Sequence, residues 1–131
     1  LTALDLQRVK LYFRFISTEE LVALFRRADI VVYPYRAITT SGALATGLAL
    51  GKTIVATDLP VFRELLADGQ NARLVPPQDA PALANTLTAL LQEPPLRERL
   101  ATAVRDMRFG DESWLAIAKQ TAAVYQRVLV E

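Results

Sequence analysis

Cysteine and histidine are both absent from the 131 residues. That removes disulfide scaffolds, thiol nucleophiles, Cys/His zinc sites and histidine general bases together. Charge of one sign is lacking too: fifteen Lys and Arg against fourteen Asp and Glu leave +1. No run of like charge offers a footprint for nucleic acid or an anionic membrane. No stretch reaches the roughly 18 uninterrupted apolar residues of a membrane span. The opening Leu1-Thr2-Ala3-Leu4-Asp5 has neither the basic nor the apolar region of a signal peptide, and no initiator Met. The expectation is a soluble cytoplasmic domain cut from a longer chain. Carboxylates, Lys, Arg, hydroxyls and the backbone remain for chemistry.

What is present is apolar. Hydrophobic residues make up 52% and charged ones 22%, which excludes a disordered chain, and the length suits one domain. Val9-Lys10-Leu11-Tyr12-Phe13 is β-branched and aromatic and predicts a strand. Ser17 with Glu20 forms a capping box before the helical spacing of Leu21, Leu24, Phe25 and Ala28. Ile30–Tyr33, ended by Pro34, reads as a strand buried on both faces. Gly42–Leu50 is apolar nearly all round and rich in small residues, a closely packed helix stopped by Gly51. Thr53–Thr57 and Arg73–Val75 predict two further strands, with Pro60 opening a helix between them. The rest is helical: leucines 83, 87, 90 and 91 form one stripe, and Leu96, Leu100, Val104 and Met107 a second. Trp114, Ala118, Thr121, Tyr125 and Val128 form a third, with Trp114 and Tyr125 expected in the core.

Strands separated by helices predict an α/β fold, a parallel sheet with flanking helices. Ligands of such sheets lie beyond the carboxyl ends of the strands. The segment Pro34–Gly42 leaves one such end and enters the N-terminus of a buried helix without a carboxylate. Free N–H groups and the helix dipole favour an anion there by about 0.3–1 kcal/mol per charge. Thr40 and Ser41 add hydroxyls, and Gly42 lets a phosphate approach. The competing reading is that Thr39–Ser41 merely cap the helix. Asp58 and Glu64 follow another strand end: either one takes a sugar or ribose hydroxyl, or Asp58 caps the helix begun at Pro60 and Glu64 solvates its face. Arg14 meets a phosphate or is a surface residue.

Taken in order, these pieces resemble the C-terminal, donor-binding domain of a GT-B glycosyltransferase of the retaining family 4 (glycosyl transferases group 1). They are Val9–Phe13 with Ser17-Thr18-Glu19-Glu20-Leu21, Arg27–Pro34, Ala49–Asp58, Arg63–Asn71, Leu74–Asp79, the spaced leucines, and Ser113-Trp114 with Tyr125. The resemblance implies a Rossmann-like parallel sheet, the C-terminal half of a GT-B fold, over residues 1–131, with 111–130 as its last helix. It implies transfer of a hexose from a nucleotide-diphosphate sugar with retention of configuration, in the cytoplasm. The N-terminal acceptor-binding domain would lie elsewhere in the same protein. By position it places Arg14, Phe15 and Ile16 beside the base, Thr40, Ser41, Gly42 and Ala43 on the diphosphate, Ile38 and Thr39 on the donor sugar, and Thr46 on the ribose, with Asp58 and Glu64 in support.

Three departures from the family stand out. Its two glutamates, separated by seven intervening residues, fall on Ile38 and Thr46, a small residue after the first strand is Arg14, and a turn glycine after Asn71 is Ala72. A subset of the family shares the Ser-Gly loop seen here. The basic residues that neutralise the leaving diphosphate are expected upstream of Leu1, so this chain alone is expected to be inactive. No DxD pair sits on a loop and no metal or other cofactor is implied. No nucleic-acid partner is implied, and any membrane contact would not run through this domain. The alternative is a non-catalytic nucleotide- or glycan-binding module of degenerate GT-B fold; a GT-B sugar-nucleotide epimerase would need His and Glu residues missing here.

Overall fold

The computed structural model describes residues 8–107 and 114–128. Helix α1 (Thr18–Arg27) starts where Ser17 Oγ accepts the Glu20 amide at 3.2 Å, with Glu19 and Glu20 in its first turn and Arg26 and Arg27 in its last. Both biases suit the helix dipole. Only half of the capping box forms, because the Glu20 carboxylate binds Arg14 instead. Then come β1 (Ile30–Tyr33), α2 (Gly42–Ala49), β2 (Thr53–Thr57), the short α3 (Pro60–Arg63) and β3 (Arg73–Val75). Helices α4 (Ala80–Gln92), α5 (Pro94–Arg105) and α6 (Trp114–Val128) complete the described chain.

The three strands are parallel in the order β1-β2-β3, with Val32 opposite Val55 and Ala56 opposite Leu74. Every residue of the central β2 is buried, as its continuous apolar run requires of a strand covered on both faces. The pleat sorts the core. Ile54 and Ala56 pack with Tyr33, Leu44, Leu48, Phe62, Leu66 and Val104 on one face. Val55 packs with Val75, Leu90 and Leu100 on the other. Thus α2 and α3 cover one side of the sheet and α4 the other, while α5 contributes Val104 to the first and Leu100 to the second. Gly51 ends α2 at φ 61°, a left-handed position that glycine occupies without steric cost.

Two expectations fail here. Val9–Phe13 makes no strand: Leu11 is 63% and Phe13 92% exposed. A lone extended segment leaves its N–H and C=O groups without a ladder, and among the described residues β1 has β2 alone as a neighbour. Tyr125 is 65% exposed, with Ile117 and Val124 also open to solvent, so Tyr125 lies on an open face of α6 and not in the core. The Trp114 and Val128 side chains lie outside the described residues, as do Arg108–Ser113.

Candidate functional site

The carboxyl ends of the strands carry the site, and the β1–α2 connection dominates it. Ser41 is the N-cap of α2: its extended backbone (φ −140°, ψ 97°) lets Oγ accept the Leu44 amide at 3.1 Å. The Ala45 amide reaches the Ser41 carbonyl at 3.3 Å. Of the amides at this helix start, those of Gly42 and Ala43 have no acceptor among the described residues. No acid stands in the first turn. Gly42 is exposed, and a β-carbon built on it would meet nothing within 4 Å, so open space lies over those amides. Capping and anion binding are therefore compatible: Ser41 spends a lone pair on Leu44, and its O–H stays free to donate.

The neighbouring positions divide. Thr39 and Thr40 are exposed beside Ser41, whereas Ile38 packs against the core and holds the loop down. Thr46 donates its hydroxyl to the Gly42 carbonyl at 3.1 Å, which leaves it only acceptor capacity toward a ligand. Arg14 forms a two-point pair with Glu20 at 2.8 and 2.5 Å and sits over the Tyr12 ring at 5.4 Å to the centroid. That hydrogen bond holds the Glu20 carboxyl below, and the Arg14 guanidinium above, their usual ranges. Phe15 is 88% exposed beside it, and no hydrogen bond in the described residues ties Arg14, Phe15 or Ile16 to α2.

Asp58 does not cap α3. The N-cap is Leu59, with no side-chain bond, because the Asp58 carboxylate is held by Arg63 at 2.5 and 2.7 Å. The guanidinium keeps the Asp58 carboxyl below its ordinary range. Turned toward that guanidinium, the carboxylate makes no bond to the amides of the turn. The Asp58 amide instead donates to the Val75 carbonyl at 2.7 Å and ties the ends of β2 and β3 together. Glu64 is exposed, and its side chain makes no hydrogen bond among the described residues. On the α4 side of the same edge lies an open cleft of about 360 Å³ lined by Pro34, Arg36, Thr57, Pro76 and Gln78. Gln78 takes φ 63° in the turn before Asp79, which caps α4 through the Ala82 amide at 2.8 Å.

Two residues that a sequence reading passes over as strand ends hold this connection in place. Tyr33, 4% exposed, donates its hydroxyl to the Ala43 carbonyl at 2.7 Å. Thr57, equally buried, donates to the Tyr35 carbonyl at 2.7 Å. Tyr33, Tyr35 and Phe62 stack in a tilted trio with centroids 5.8–6.3 Å apart. Burial pushes the Tyr33 phenol up to about 12, so it remains a donor near neutrality. The available signal was a tyrosine closing an aliphatic strand and a glycine, Gly47, inside the next helix.

Comparisons with known proteins bear on the family and the fold. The family profile described as "Glycosyl transferases group 1" matches residues 2–93. Phosphatidyl-myo-inositol mannosyltransferase of Mycobacterium leprae (strain TN) is 39% identical over 108 residues, 81% of this chain and 28% of that protein. The protein of the same name from Mycolicibacterium smegmatis is 34% identical over 79% of this chain and 27% of its own length. The chain thus spans somewhat over a quarter of these relatives. Sucrose-phosphate synthase from Thermosynechococcus elongatus superposes with a TM-score of 0.71 at 25% identity, over 88% of this chain and 29% of that one. The Rossmann-like parallel layer seen here is that of GT-B glycosyltransferases. With most of its length matched by the family profile, the chain belongs to the glycosyl transferases group 1 family.

Proposed function

We propose that this chain is the donor-nucleotide half of a retaining glycosyltransferase that moves a hexose from a nucleotide-diphosphate sugar to an acceptor bound on another domain of the same protein. The observation that carries the reading is the start of α2, with two unclaimed amides, a free Ser41 O–H and no acid, under open space at the carboxyl edge of a parallel sheet. The diphosphate lies over Thr40–Ala43, the sugar toward Ile38 and Thr39, the ribose near Thr46, and the base along Arg14–Ile16. Thr46 accepts a ribose hydroxyl, the only direction its own bond to Gly42 leaves open. The relatives named mannosyltransferases make a mannosyl donor the first to test.

Catalysis in such a half-site is positioning and charge stabilisation. Fixed amides aimed at the diphosphate take up negative charge as the glycosidic bond to it breaks, with no reorganisation required. The dipole of α2 supplies part of that field, so the reading calls for no metal in this domain. Glu64 reaches the donor side from the next strand end, with Asp58 committed to Arg63.

The test is calorimetry of the protein and its Gly42→Asp variant with uridine, guanosine and adenosine and their 5′-mono- and diphosphates. One or two charge-assisted hydrogen bonds to the second phosphate should favour diphosphate over monophosphate by about 10- to 1,000-fold. Gly42→Asp should erase that preference and spare nucleoside binding, without unfolding α2, since an acid in a first turn suits the dipole. A preference unchanged in the folded variant reduces Thr39–Ser41 to a cap. Diphosphate binding without sugar transfer by the whole protein would instead identify a binding module, the reading that the missing carboxylates at Ile38 and Thr46 favour.

A further inference from the structure

We infer that Tyr33 is a positioning residue for the donor diphosphate, setting the first turn of α2 through a hydroxyl that a glycine at position 47 makes room for. The inference rests on the diphosphate reading of Thr40–Ala43 given above. Ala43 is four residues before Gly47, and the Tyr33 hydroxyl sits between the two. It donates to the Ala43 carbonyl at 2.7 Å, and its oxygen faces the Gly47 amide. It arrives over Gly47, where a β-carbon would collide with the phenol oxygen and stand 3.4 Å from ring carbon Cζ. The strand end and the helix are thus locked at a spot where another residue at position 47 would push them apart.

The lock continues toward the ligand. The Ala43 carbonyl and the Leu44 N–H belong to one peptide group. That N–H donates to Ser41 Oγ at 3.1 Å, and the Ser41 O–H remains free. Tyr33, Ala43–Leu44 and Ser41 therefore form a chain of donors running from the core to the open space above α2. Donors in series polarise one another in a low-dielectric interior. Tyr33 thereby fixes where the Gly42 and Ala43 amides stand and strengthens the Ser41 hydroxyl as a donor, without touching the ligand itself. At the other end of the connection Thr57 fastens the Tyr35 carbonyl, so the eight residues between Tyr33 and Gly42 are anchored at both ends.

The test uses Tyr33→Phe, Gly47→Ala and the double variant, read by melting temperature and by the ratio of diphosphate to nucleoside affinity in the same nucleotide series. Tyr33→Phe should lower that ratio about two- to tenfold, the span of one ordinary hydrogen bond, and leave nucleoside affinity unchanged. Gly47→Ala should lower both the melting temperature and the ratio. In the double variant the colliding oxygen is gone, so the melting temperature should recover while the ratio stays low. A purely structural role predicts that the two recover together, and that result overturns the inference, as does an unchanged ratio in folded Tyr33→Phe. If the unmodified protein prefers diphosphate and Gly42→Asp abolishes this, only the positioning role has failed. If the unmodified protein shows no preference, the diphosphate reading fails and the inference with it.

Discussion

Two buried threonines stand at opposite ends of β2, and the same substitution in each should have unequal consequences. Thr53, 3% exposed, donates to the Arg97 carbonyl at 2.9 Å; Thr57, 4% exposed, donates to the Tyr35 carbonyl at 2.7 Å. Arg97 lies inside α5, whose own ladder supplies its carbonyl with an amide. Tyr35 lies in the connection after β1 and has no second donor among the described residues. Thr→Val removes the hydroxyl and adds about 0.8 kcal/mol of buried apolar group at either site. At Thr53 the lost bond, worth about 0.5–1.5 kcal/mol net, is largely offset. At Thr57 an orphaned carbonyl costs about 1–3 kcal/mol, a net loss near 1–2 kcal/mol. For a chain of this size that is a fall of roughly 3–10 °C in melting temperature, against a change of no more than about 3 °C for Thr53→Val. Urea unfolding and thermal melts give the first comparison. Nucleoside diphosphate titration gives the second, because Thr57 anchors the connection that leads to Gly42 and Thr53 does not. Equal stability losses would refute the reasoning about orphaned carbonyls, and equal ligand effects would refute the anchoring.

Alkali should weaken the fold through Tyr33. Its phenol, raised by burial to about 12 from 10.0, contributes its full stability below pH 10 and loses it as pH rises toward 12, at up to about 1.4 kcal/mol per unit. Melting curves from pH 8 upward should show the advantage over Tyr33→Phe shrinking above pH 10, and a constant gap argues against burial of the phenol. Asp58→Asn should change stability by less than about 1 kcal/mol, because the Arg63 pair is partly exposed. Since the folded carboxyl titrates low, that contribution is full above the ordinary value near 4 and is lost as pH falls below it through the lowered folded value, so acid melts of the two proteins should converge. Glu64→Gln should leave the melting temperature nearly unchanged and weaken donor binding by the whole protein; parallel losses would make Glu64 structural. The 131-residue chain by itself should fold and transfer nothing, and donor hydrolysis by it would contradict the half-site reading.

Local signals read well. Continuous apolar runs bounded by Pro34, Gly51 and Pro76 located all three paired strands, and Ser17, Ser41 and Pro60 marked helix starts, because caps and turn residues act within a few positions. Failures came where a distant partner decides. Val9–Phe13 has strand composition, but pairing needs a neighbour that composition cannot supply. Tyr125 sits on a helical stripe, but a stripe does not say what covers it. Asp58 has the residue type of a cap, yet Arg63 five positions on competes for it and wins with two hydrogen bonds. Thr40, Ser41 and Gly42, proposed for the diphosphate, could be named from the strand-to-helix order. Tyr33 could not, because the role proposed for it depends on a hydroxyl crossing from one element to the backbone of another beside Gly47.

Helix α5 has a consequence for where the domain can be cut. The stretch shared with the family profile stops at residue 93, immediately before α5 begins at Pro94. Yet Leu100 and Val104, 0% and 1% exposed, fill gaps on opposite sides of the sheet. A shortened protein designed on the end of that profile would lose side chains from both cores at once, with Ile54 and Val55 left under holes. Losing one such leucine or valine already costs a few kcal/mol, and the whole fold is worth about 5–15. Expression trials that stop near residue 93 should therefore yield insoluble material, while those that keep α5 retain a cooperative melt: the boundary of the family profile falls one helix short of the boundary of cooperative folding.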